Sequence, residues 1–238
     1  MRINIAKNQH IVPKRSLEHF GNLSGSIEVR RIGQIESFRT GARNPIFCFK
    51  SAWDHRAEAL DGKRIEDSFQ GVVNRAIKSD VYQLESFESI EVTKFFALWL
   101  YRSQATEFNV DDVHPALKPS VVDKDEKLRL ESLGINFIDE TGTLPAHVKK
   151  GLFVCGGVMS FLDRHMGLKW FMSRSTEYEF LIADNPAGNL FIPISPELCL
   201  VAGYSWPVLT AEQCRQVNLL TMASARKFYC ARDLSHCV

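Results

Sequence analysis

Five residues have the types and settings to do chemistry: His10, Glu66, Arg102, Asp184 and Asn185. His10 lies in Asn8-Gln9-His10-Ile11-Val12-Pro13, just ahead of a helix-starting proline. A histidine titrates near pH ~6.5 and can serve as general base, general acid or metal ligand. A glutamate beside an apolar stripe can have its pKa raised into a useful range. Arg102 has the guanidinium to hold an anionic group or to stabilise charge in a transition state. Asp184-Asn185-Pro186, leaving an apolar strand, is expected to expose a carboxylate and an amide at a sheet edge, with proline keeping the preceding residue extended. Together these groups equip a hydrolase acting on a phosphate or glycosidic bond. Each also has a purely structural reading. His10 can hydrogen-bond its loop, Glu66 and Arg102 can form a buried ion pair between helices, and Asp184 can close an Asx-type turn.

The elements that position these residues follow from the spacing of apolar side chains. Pro13 opens a short helix that stops at Gly21. Segments 26–32 and 35–39 flank Gly33 as a hairpin, and 46–49 is expected to extend the same small sheet. Over 63–79, Ile65, Phe69, Val72, Val73 and Ala76 fall at helical spacing, with Glu66 beside the stripe. Segment 87–106 is the most apolar helix and should run through the middle of the fold. Arg102 follows Phe95 by seven, Leu98 by four and Trp99 by three, so its guanidinium ends the buried stripe and requires a carboxylate.

A charged surface helix is predicted over 121–133, inside a variable or mobile insertion at 109–143. A helix over 145–165 follows, in which Gly151, Gly156 and Gly157 allow close approach of another element. Strands are predicted at 168–174, 178–183, 190–193 and 198–202, then a helix at 211–225 and a terminal strand at 227–231. The class is α+β: small N-terminal sheet elements, central buried helices, and a C-terminal antiparallel β-rich part with a final helix. Without an internal repeat or a clear linker, 1–238 reads as a single domain.

Composition limits the partners. The chain is 45% hydrophobic and 24% charged with a formal net charge of +1, an ordinary globular balance that disfavours extended nonspecific binding to nucleic acid. Segment 1–10 is polar and lacks the apolar run of a secretion signal, so the expected location is the cytoplasm. The dense apolar run at 95–101 is too short to cross a bilayer, and no membrane association is expected. Six cysteines occur without any CxxC pair and read as reduced, mostly buried thiols. Trp53, Trp99, Trp170 and Trp206 are not interleaved with basic residues and are assigned to the core.

The order of several short motifs resembles a known family. Gln9-His10-Ile11-Val12-Pro13 with Leu17 and Phe20, then Lys50-Ser51-Ala52, Ile65-Glu66, 96–102, Ala183-Asp184-Asn185-Pro186 and Pro193-Ile194-Ser195-Pro196 are similar, in order and rough spacing, to the bacterial domain of unknown function 4238. The resemblance implies a microbial protein, also carried by mobile elements, without an established activity. Gln9 stands where that family frequently has a second histidine, and Ala183 where it frequently has serine, which weakens a two-histidine metal site.

No GxSxG, P-loop, GxGxxG, HExxH or EF-hand signature occurs. Asp54-His55 with Glu58 could supply neighbouring metal ligands on a helix, although such a cluster is more often a solvated face; no metal or cofactor is assigned. Two functions remain. One is an intracellular effector or toxin-like hydrolase of a prophage or defence element, acting on nucleic acid or a nucleotide, with His10 and Glu66 or Asp184 moving protons and Arg102 on the phosphate. The other is a noncatalytic protein that binds a protein partner.

Overall fold

The computed structural model describes residues 8–79, 82–108, 122–138, 142–186 and 188–238. Strand β1 (Asn8–His10) leads through Pro13 into α1 (Lys14–Glu18), followed by β2 (Ser26–Arg31), β3 (Ser37–Gly41) and β4 (Cys48–Lys50). A π-helical turn at Arg56–Leu60 runs directly into α2 (Asp61–Ser79). Next come α3 (Ser86–Ala105), α4 (Lys124–Ser132) and α5 (Ala146–Arg164). Then follow β5 (Trp170–Ser175), β6 (Ile182–Ala183), β7 (Phe191–Pro193), β8 (Leu198–Ala202) and β9 (Val208–Leu209). Helix α6 (Ala211–Ser224) and β10 (Phe228–Ala231) complete the α+β fold.

Helix α3 is the axle because it has almost no polar face to give to water. Phe95, Phe96, Leu98 and Trp99 are all buried, and Glu85 and Glu88 form a reciprocal capping box that starts the helix. Phe69 of α2 stacks on Phe95, while Phe96 packs against Phe161 of α5 and Trp170 of β5. Each such aromatic contributes about 2–3 kcal/mol by leaving water. The expectation that glycines in α5 let another element approach holds at two of three positions. A Cβ at Gly157 would sit 2.3 Å from the Tyr101 ring and one at Gly151 would sit 2.2 Å from Asp54 Oδ1, whereas Gly156 faces open space.

The strands form three sheets, ordered β1-β4, β3-β2-β10-β6 and β7-β8-β5-β9. The terminal strand therefore enters the sheet of the N-terminal hairpin, between β2 and β6. Two expectations change here. Segment 46–49 does not extend the hairpin sheet: β4 pairs instead with β1, because the Gln9 side chain ties β1 to the backbone just after β4. The C-terminal part is not wholly antiparallel, since β5 and β9 run parallel.

Segment 178–183 shortens to the two residues of β6, as the amides of Glu179, Phe180 and Leu181 are taken by His236, Pro196 and the side chain of Asn218. Trp53, Trp99 and Trp170 are core residues, but Trp206 is 42% exposed and stacks on Tyr204 at 4.9 Å. Helix α4 buries no residue, as expected of a surface helix. The rest of the proposed insertion includes 109–121 and 139–141, which lie outside the described residues, as do 1–7 at the start. No helix among the described residues is long and apolar enough to cross a membrane.

Candidate functional site

The arginine that needed a carboxylate has two. Arg102, 1% exposed, directs Nη1 to Glu66 Oε1 and Nη2 to Glu58 Oε2, the latter at 3.1 Å. Its remaining reach goes to backbone carbonyls, Ala57 at 3.3 Å and His10 at 3.4 Å. The guanidinium also lies over the Trp53 ring at 5.3 Å, and the Trp53 indole N–H donates to Glu58 Oε2 at 2.8 Å. Burial works against the guanidinium's charge, but Glu66 and Glu58 outweigh it and hold its pKa above the usual arginine value. Burial raises the pKa of the Glu58 carboxyl, against Arg102 and the indole, which hold it charged.

The π-helical turn explains why Glu58 joins Glu66. Eight residues along a regular helix would leave the two side chains about 80° apart around its axis. The extra residue per turn at Arg56–Leu60 removes most of that angle and frees the Ala57 carbonyl for Arg102. Gly62 is the required partner of this arrangement: a Cβ there would sit 2.1 Å from the Ala57 oxygen and 2.5 Å from Arg102 Nη2.

His10 belongs to the same cluster. It sits opposite Cys48 in the β1-β4 register, and cross-strand partners share a face. The Cys48 Sγ lies 3.4 Å from His10 Nε2 and 3.7 Å from Nδ1, with both residues half-buried. Burial lowers the His10 pKa below the ordinary imidazole value, opposed by a backbone hydrogen bond to Ala42 and by Glu66, and assisted by Arg102 and Lys14. Burial raises the pKa of the Cys48 thiol, and Glu58 adds to the effect. The resting couple is thus a neutral thiol beside a neutral imidazole.

The neighbouring Gln9 is buried and structural. Its oxygen accepts from the Ala52 and Trp53 amides at 2.6 and 3.1 Å, and its amide donates to the Trp53 carbonyl at 2.8 Å. These contacts brace the corner at Ser51, the one non-glycine residue with positive φ among the described residues.

His10, Glu66 and Arg102 are therefore brought together, whereas Asp184 and Asn185 are engaged at the turn between α6 and β10. Asp184 lies at the edge strand of its sheet but is 1% exposed rather than presented to solvent. Its two oxygens accept from the Arg226 and Lys227 amides at 2.9 and 3.0 Å, which anchors the turn between α6 and β10. Asn185, also buried, donates to the Ser224 carbonyl at 3.0 Å, and the Ser224 hydroxyl donates back to the Asn185 carbonyl at 2.6 Å. The structural reading of Asp184 as a turn-closing residue is the one its contacts match, although the turn is 42 residues distant.

Sequence reasoning passes over Glu58, read as part of a solvated cluster, and Cys48, grouped with the reduced, mostly buried thiols. The signal for Cys48 was weak but present, in an apolar segment at 46–49 that had to pair with something. In the Asp54-His55-Glu58 cluster, Asp54 Oδ1 accepts from the Ala57 amide at 2.9 Å and Glu58 is held by Arg102. Among the described residues no group of three or more His, Cys, Asp or Glu side chains is placed to hold a metal ion. Glu66 also lines a polar cleft of about 310 Å³ with Pro13, Lys14, Arg15, Lys63 and Asp67, which connects the cluster to solvent on one side.

No family model matches the sequence, and no curated protein and no solved structure matches it. The likeness to domain of unknown function 4238 rests on the motifs quoted above.

The lowered His10 pKa has a consequence for stability. Between its folded value and the ordinary value of about 6.5, the unfolded chain binds a proton that the folded chain does not, so stability rises with pH across that window. Wild type should lose more stability than His10→Gln when the pH is lowered from about 7 to about 5, as read by urea denaturation. Parallel stability curves would contradict the burial of a neutral imidazole.

Proposed function

We propose that the protein is a hydrolase, of the intracellular effector or toxin-like type, in which His10 transfers the proton. The observation that carries this reading is the half-buried imidazole on β1, held beside a thiol and backed by Arg102 with its two glutamates. An imidazole whose pKa is depressed is neutral near pH 7, the state a general base needs. Arg102 enters this reading as a positioning residue. It is enclosed, and its two terminal nitrogens are engaged by Glu58, Glu66 and the carbonyls of Ala57 and His10 while its buried Nε has no hydrogen-bond partner among the described residues, so a substrate phosphate would have to displace a carboxylate to reach the terminal nitrogens.

Expression in a bacterial host tests the proposal. Wild type is expected to arrest growth, while His10→Gln and Glu66→Gln permit it with unchanged circular dichroism. Arrest that persists in a folded His10→Gln variant would remove the proton-transfer role.

A second reading, a noncatalytic protein-binding role, is favoured by a different surface. Phe87, Ile90, Met159 and Met166, on α3, on α5 or just beyond it, are 61%, 48%, 61% and 85% exposed. Exposed methionines adapt readily to apolar partners. Growth arrest that survives His10→Gln but is relieved by Met159→Glu would select this reading over the first.

A further inference from the structure

We propose that Cys48 is the nucleophile of a covalent acyl hydrolysis, attacking a carboxylic ester or thioester while a His10 ring nitrogen takes the thiol proton. The proposal rests on the reading of His10 as the proton-transfer group and adds a nucleophile and a substrate class to it. Geometry carries it. The two residues are directly paired across β1 and β4, with the Cys48 Sγ 3.4 and 3.7 Å from the two His10 ring nitrogens; the sulfur therefore lies over the imidazole ring, a turn of the ring away from a nitrogen lone pair, and both residues are partly open to solvent. Four of the other five thiols, Cys199, Cys214, Cys230 and Cys237, are buried. The raised thiol and lowered imidazole pKa values mean that the proton moves during attack, as in a hydroxyl-imidazole pair, instead of beforehand to give a resting thiolate.

Charge selects the acyl class over a phosphoryl one. The acidic group that bears electrostatically on Cys48 is Glu58, and the guanidinium nearest this cluster is spent on Glu58 and Glu66. A phosphate anion brought to Cys48 would meet the Glu58 carboxylate, to which Arg102 is already bound, whereas an uncharged ester or thioester would not meet that repulsion.

The step balances within the protein, the substrate and water. The Cys48 sulfur bonds to the carbonyl carbon as its proton passes to His10; the bond to the leaving oxygen or sulfur breaks, and that atom takes the proton. Water then gives a proton to His10 as its oxygen attacks the Cys48 thioester, the C–S bond breaks, and the thiol recovers its proton. One water is consumed and no oxidant or reductant is required.

The test uses p-nitrophenyl acetate on the full chain. Mapping of the acetylated peptides is expected to find the acetyl group on Cys48, removable by neutral hydroxylamine as a thioester is. His10→Gln should slow Cys48 acetylation by about 100-fold. Cys155→Ala, which changes the other half-buried thiol, should leave the rate as in wild type. Acetyl groups found only on lysines, or Cys48 acetylation equally fast in His10→Gln, would overturn the proposal. Growth arrest completes the comparison. Relief by both Cys48→Ala and His10→Gln supports the thiol as nucleophile; relief by His10→Gln alone discards it and keeps His10; relief by neither discards both. Because peptide mapping is done on wild type, the proposal stays open to refutation even if Cys48→Ala fails to fold.

Discussion

Arg102→Met is expected to lose about 3–5 kcal/mol of folding stability, among the largest effects of any single substitution in the chain. The arginine is 1% exposed, and without it Glu58 and Glu66 face each other across the space it filled, with side chains only 18% and 26% exposed. The loss comes mainly from stranding two carboxylates and only partly from the attraction removed. Combining Arg102→Met with Glu58→Gln and Glu66→Gln should therefore recover a substantial part of the loss, a non-additivity that urea denaturation of wild type, Arg102→Met, the Glu58→Gln/Glu66→Gln pair and the triple variant can measure. If Arg102→Met lies within about 1 kcal/mol of wild type, the network is not the support of this site.

Asp184→Ala is expected to cost about 3 kcal/mol, because it leaves the Arg226 and Lys227 amides without the acceptors that close the turn between α6 and β10. Asp184→Asn, which keeps one acceptor oxygen, should cost about half as much. The same pair separates folding from chemistry. Folded Asp184→Asn should arrest bacterial growth as wild type does, whereas His10→Gln should not. Loss of the phenotype in a folded Asp184→Asn chain, with unchanged circular dichroism, would return this carboxylate to the chemical site.

The parts of the fold legible in the sequence are those in which local periodicity and burial coincide. Helices α2, α3, α5 and α6 form within a few residues of their predicted limits, and β8 forms at 198–202 as read. Helices α2 and α5 carry apolar residues at one repeat that declare the buried face, α3 over 95–101 and β8 are apolar throughout, and α6 buries Cys214, Asn218 and Thr221 in place of an apolar stripe. Strands β1, β4 and β9 span three, three and two residues, too few for any repeat to show. Their pairing is set by contacts far along the chain, such as Gln9 with Ala52 and Trp53. Trp206 was misassigned because aromatic character gives no direction: nothing in its neighbours states that it stacks on Tyr204 at the surface.

For the candidate site, the amino-acid sequence alone determined that Arg102 ends a buried stripe, that such a guanidinium must find a carboxylate, and that Glu66 lies beside the facing stripe. Those statements need only the helical repeat and the cost of an unpaired buried charge. Tertiary structure decided the rest. A π-helical turn brought in Glu58, a strand register set Cys48 against His10, and two amides some forty residues downstream took both oxygens of Asp184. The division has one physical cause: desolvation is a property of a residue's own element, whereas the choice of partner belongs to whichever segment the rest of the fold delivers to it.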